Sequence, residues 1–192
     1  MIRQDRISKM LIVAAMLLCV YLATFENSTL IMFPGILLTF GLIMEWFLEK
    51  KREDVSDSRD KGSWKEIGFY TVLSVGGMAL VAWGTSYKPW MIMVPASGIA
   101  YVVLMAISEE QFFRGFITDL LLSKFNRKIL AVILAGFLFA IYHIAMYSTN
   151  PDAMLYVLAG GVILSWVAYR SRRLSPGMIA HIFNNVRAVI GM

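Results

Sequence analysis

The chain has 192 residues, of which 58% are hydrophobic and 16% charged, and its mean hydropathy is +0.66. That balance excludes an ordinary soluble domain. The net charge of +5 does not argue for nucleic acid, because the basic residues cluster between apolar runs, as membrane topology requires. The single cysteine, Cys19, excludes an intrachain disulfide and a thiolate metal cluster.

Several apolar runs reach the ~20 helical residues that cross a ~30 Å hydrocarbon core. Backbone satisfaction in lipid leaves helices or a closed barrel, and the runs are continuous and not alternating, which selects helices. The expected fold is all-α: a polytopic membrane helical bundle forming a single domain over 1–192. The first span is Ile7–Phe25. Its basic start and apolar core resemble a signal peptide, but the run is long and no small-x-small cleavage site follows, so it is expected to be retained. Bulky Leu18 before Cys19 disfavours a lipoprotein signal. A polar turn, Glu26-Asn27-Ser28, leads to the second span, Thr29–Leu48, with Pro34-Gly35 as a kink site. Residues 49–66 are rich in Lys, Arg, Asp and Ser and read as a flexible cytoplasmic loop. The third span is Ile67–Gly84, where Gly76-Gly77 would allow close helix approach.

Pro89–Leu122 is too long for one upright crossing, at ~50 Å of helix. Pro95 is a natural start for the helix proper. The later spans are Ile129–Tyr147, Ala153–Tyr169 and Pro176–Ile190, the last with Ser175 as N-cap and Pro176 at N1. With Pro89–Leu122 as one crossing, fifteen Lys and Arg fall on one side and only Lys88 on the other. The positive-inside rule then gives seven spans, with the N-terminus cytoplasmic and the C-terminus outside. The extra length before Ser108 is expected to be interfacial or a short additional helix.

Chemistry concentrates in Ser108-Glu-Glu-Gln-Phe-Phe-Arg-Gly115. A charge near the bilayer centre costs at least ~2.5–3.5 kcal/mol, so such groups are paired and functional. Glu110 and Arg114 are i, i+4 neighbours and can pair. Glu109 lies about 100° round the helix with no partner on its own segment. Both histidines lie in apolar spans with a companion four residues away on the same face: Phe139 with His143, and His181 with Asn185. Asn184 competes with Asn185, and the four-residue spacing favours Asn185. Glu109 and His143 each come out ~20 Å from the cytoplasmic face, and His181 with Asn185 shallower, ~8–14 Å. A carboxylate in such a cavity can act as general base on a water, and a neutral histidine can hold that water or pass its proton to a leaving amine. A second histidine and an amide can donate to the oxyanion of a tetrahedral intermediate. Those are the parts that hydrolyse an amide. Phe112, Phe113 and Phe139 read as core aromatics, and Asp119 and Arg187 carry no assigned chemistry.

Glu109-Glu110-x-x-x-Arg114, Phe139-x-x-x-His143 and His181-x-x-x-Asn185 resemble the three signature motifs of the CPBP family, the CAAX-protease and bacteriocin-processing (Abi) membrane proteins, whose members include intramembrane glutamic endopeptidases. The motif-bearing core is about residues 89–192. The resemblance implies a bundle of seven to eight transmembrane helices around a central polar cavity, as an integral multi-pass protein of a prokaryotic cell (inner) membrane. It implies that Glu109 and His143 activate the water and that His181 and Asn185 form the oxyanion site. Glu110 and Arg114 would be a supporting ion pair. No metal and no other cofactor is expected. The implied partners are the lipid bilayer and a membrane-associated protein or peptide substrate: a CAAX-like tail, a precursor peptide or a C-terminal sorting signal. Oligomeric state is left open. Two other classes share the residues. One is a non-catalytic CPBP-like scaffold or immunity protein that binds a membrane partner. The other is a metal-dependent hydrolase with Glu109, His143 and His181 as ligands, against which stands the lack of a His-Glu-x-x-His helix.

Overall fold

The computed structural model describes residues 2, 4–25, 32–50, 64–85 and 96–190. The helices are α1 (Arg6–Phe25), α2 (Met32–Lys50), α3 (Trp64–Thr85), α4 (Ala96–Glu110), α5 (Asp119–Lys124), α6 (Lys128–Tyr142), α7 (Ile144–Tyr147), α8 (Pro151–Ser171) and α9 (Ser175–Ile190), with a π-helical segment, Gln111–Thr118, between α4 and α5. The chain is all-α among the described residues. Most of the expected cytoplasmic loop, and Pro95 with the residues just before it, lie outside them.

α4, the π segment and α5 form one helical rod with no turn inside it, and α1, α2, α6, α8 and α9 pack on that rod. α1 and α2 pack on α4, α2 also on the π segment, and α9 on α4; α3 and α6 pack on α8. Polarity is inverted relative to a soluble protein. Glu109, Glu110, Gln111 and Arg114 are buried, while Trp83 is 84% exposed and α1, α2, α3 and α6 turn Leu, Ile, Val, Phe and Trp outward. Two helices, α3 and α8, are long and apolar enough to cross a bilayer. Met32–Leu48 and Lys128–Tyr142 are shorter apolar helices.

Several local expectations need correction. Pro34 lies in the first turn of α2, where its missing N–H costs nothing, so it kinks no helix interior. Of the Gly76-Gly77 pair, Gly76 faces open space, while a Cβ on Gly77 would stand 3.2 Å from Ile163 Cδ1 on α8, so the close approach is made at Gly77. A tighter one lies between α6 and α8. A Cβ on Gly136 would stand 2.4 Å from Val162 Cγ2 and 2.7 Å from its backbone nitrogen, and one on Gly161 would stand 3.0 Å from the Gly136 carbonyl. Ser175 is not the N-cap of α9 but its first residue. The Leu174 carbonyl accepts from Met178 N–H at 3.0 Å, and the Ser175 hydroxyl donates to Asp5 at 2.5 Å. Asp119, which the sequence left without a role, accepts from the Ile2 backbone N–H at 2.8 Å.

The expected continuous span Ile129–Tyr147 is interrupted. α6 ends at Tyr142, and His143 leaves the helix at φ −89°, ψ 0°. Its backbone N–H bonds the Ala140 carbonyl at 3.0 Å, three residues back, and its ring Nδ1 takes the Phe139 carbonyl at 2.9 Å. The side chain thus replaces the backbone donor that a continuing helix would have supplied.

Candidate active site

Glu109 and Glu110 close α4, and Arg114 follows in the π segment. The Glu110–Arg114 pair forms at 3.0 Å, with both side chains 0% exposed. The guanidinium carbon stands 4.3 Å from the Phe139 ring centroid, a cation–π contact with α6, and Nη2 donates to the Gly161 carbonyl on α8 at 3.4 Å. One arginine therefore ties the rod to α6 and α8, and Phe139 is more than a core aromatic.

Glu109 is 4% exposed and sits between the two imidazoles. Its Oε1 is 3.8 Å from His143 Nε2, and its Oε2 is 3.5 Å from His181 Nε2. The Tyr142 hydroxyl also lies near this carboxylate. A carbonyl oxygen only accepts, so the Nδ1 of His143 carries hydrogen and its Nε2 is left facing Glu109. His181 Nδ1 meets Glu110 Oε1 at 2.8 Å, which fixes its ring in the same sense. Gly177, one turn before His181, makes this possible. A Cβ there would stand 2.7 Å from Glu110 Oε2.

A cavity of about 100 Å³ opens beside this cluster. His143, His181, Asn184, Asn185 and Tyr156 line its polar part, and Met78, Val157 and Leu164 its apolar part. Two of the lining residues, His143 and His181, contact the Glu109 carboxylate. The structure therefore brings Glu109, Glu110, Arg114, His143 and His181 into one contact network and places Asn185 on the wall of the adjoining cavity. Asn184 accepts from the Tyr156 hydroxyl at 2.5 Å. Among the described residues no three His, Cys, Asp or Glu side chains are grouped so as to hold a metal ion.

Residues 89–187 match the family described as Type II CAAX prenyl endopeptidase Rce1-like. The chain belongs to this family. The match supports the CAAX-protease resemblance drawn from the three motifs, and it spans every residue of the network above. The Rce1-like family is one of integral-membrane peptidases, and this chain's inverted polarity fits it. No curated protein and no solved structure gave a match.

Sequence reasoning missed four contacts. Glu110 serves His181 as well as Arg114; Gly177 leaves room for it; Tyr142 reaches Glu109; and Tyr156 holds Asn184. It also passed over Glu45, a buried carboxylate in α2 that accepts from Gln111 and, at 2.6 Å, from Gln4. The rule that singled out Glu109, a charge inside an apolar run, applied to Glu45 equally.

Proposed function

We propose that this chain is an intramembrane glutamic endopeptidase that hydrolyses a peptide bond of a membrane-associated protein or peptide. The observation that carries the reading is the placement of one buried carboxylate against imidazole nitrogens from two other helices. A water touching Glu109 and His143 gives its proton to the carboxylate as its oxygen bonds to the scissile carbonyl carbon. The oxyanion that forms accepts from the Asn185 amide, with His181 held beside it. The proton then passes to the leaving nitrogen as the C–N bond breaks, giving a carboxylate and an amine. On this reading the chemistry runs on the side chains, without a metal.

The substrate that fits the family's description is a prenylated CAAX-like tail; a precursor peptide or sorting signal uses the same chemistry. Seven crossings place residues 49–66 on the cytoplasmic side, where the basic residues cluster. The test is peptidomics of membranes from cells carrying wild-type or Glu109→Gln protein at equal levels. Peptides that accumulate uncut only with Glu109→Gln support the peptidase. Identical peptide profiles favour a scaffold that binds its partner without cutting it.

A further inference from the structure

We propose that Asn184, held by Tyr156, contacts substrate by donating to a peptide carbonyl oxygen outside the scissile bond. The inference rests on the peptidase reading above and adds a binding contact to it. Tyr156 on α8 is buried and donates its hydroxyl hydrogen to Asn184 Oδ1 on α9. Both residues line the cavity that His143, His181 and Asn185 also line. An amide side chain offers one acceptor oxygen and two N–H donors. With the phenol on its oxygen, Asn184 presents only donors to the cavity, and no hydrogen bond among the described residues uses them. The pair has turned an ambivalent group into one that selects an acceptor.

Position says which acceptor. At about 100° per residue, Asn185 lies ~40° from the His181 direction and Asn184 ~60° to the other side, toward Tyr156. Asn185 therefore shares the face of His181, and Asn184 faces the seam between α8 and α9. Beside that seam the wall is Val157, Gly160 and Leu164, with Met78 across from them. A peptide lying there finds apolar side chains, which cannot satisfy its backbone carbonyl, and a buried carbonyl left unpaired is costly. Asn184 supplies the missing donor. Because this carbonyl does not react, the contact is equally strong before and during the chemical step, so its loss raises KM and leaves kcat alone.

The test uses purified full-length protein in lipid nanodiscs and a fluorescent farnesylated peptide ending in a Cys-aliphatic-aliphatic-X tail. Asn184→Ala is expected to raise KM about tenfold with kcat within about twofold. Tyr156→Phe, which keeps the ring and removes only the hydroxyl, is expected to raise KM about threefold. The double variant is expected to match Asn184→Ala alone, since Tyr156 acts through Asn184. Peptide affinity measured in a Glu109→Gln background reports the same contact without cleavage, so a failure of the peptidase reading leaves this measurement standing. Wild-type peptide affinity in Tyr156→Phe, multiplying effects in the double variant, a loss confined to kcat, or no binding of the peptide by any variant overturns the proposal.

Discussion

A single oxygen of Glu110, Oε1, serves two partners: Arg114 Nη1 at 3.0 Å and His181 Nδ1 at 2.8 Å. The ion pair that holds the rod together is thus also what orients the histidine on α9. Breaking it should cost both stability and geometry. Glu110→Ala leaves a fully buried guanidinium without its carboxylate, and removing one partner of a buried pair costs about 3–5 kcal/mol. Unfolding in nanodiscs or mixed micelles, followed by Trp fluorescence, should show a loss of that size. A variant as stable as wild type would contradict the role given to the pair.

Gly177 gives a finer probe of the same contact. Its missing side chain is the space that the second Glu110 oxygen occupies, and that carboxylate is pinned by its other oxygen. Gly177→Ala should therefore push Glu110 aside and turn His181, with a loss of about 100-fold in peptide cleavage. Gly76→Ala is the control, because a Cβ there meets nothing within 4 Å, and it should stay within about twofold of wild type. Equal rates for the two variants would argue that His181 orientation does not matter.

The α6–α8 crossing predicts a packing effect. Gly136→Ala sets a methyl against the Val162 backbone, which cannot rotate away, so the helices must separate. The expected loss is about 1–3 kcal/mol, typical of overpacking, read from the same unfolding measurement. Because α6 carries Phe139 and leads into His143, cleavage should fall as well. Unchanged stability would mean that the crossing is looser than drawn.

Metal removal separates the proposed chemistry from a metal-dependent hydrolase. Cleavage of the farnesylated peptide should be unaffected by a strong chelator, and added zinc should not raise it. Loss on chelation with recovery on adding metal would assign Glu109, His143 and His181 to a metal, contrary to the side-chain mechanism.

Much of this arrangement was legible in the chain. The spans Ile7–Phe25 and Ile67–Gly84 match α1 and α3 closely because long apolar runs bounded by polar residues leave little choice. The polar network was legible because ionisable residues in apolar runs are few, and each costs enough to need a partner. What could not be read depends on how helices rotate against one another. That Glu110 meets His181 follows from the packing of α4 against α9, which no spacing within either helix encodes. The π turn after Glu110 carries no sequence mark. Thr118 covers part of its altered hydrogen bonding by donating to the Phe113 carbonyl at 2.8 Å, a bond visible only once the turn exists. The break at His143 was hidden for a similar reason. No Gly or Pro marks it, and the imidazole itself supplies the donor that ends the helix.

The most direct measurement is single-turnover cleavage of the farnesylated peptide by purified Glu109→Gln protein, with peptide affinity recorded in parallel. The substitution keeps the size of the side chain and removes its ability to take a proton from water. If Glu109 is the base, the cleavage rate falls by at least ~10²–10⁴-fold while affinity stays within about threefold of wild type. Cleavage within tenfold of wild type at unchanged affinity would contradict the account.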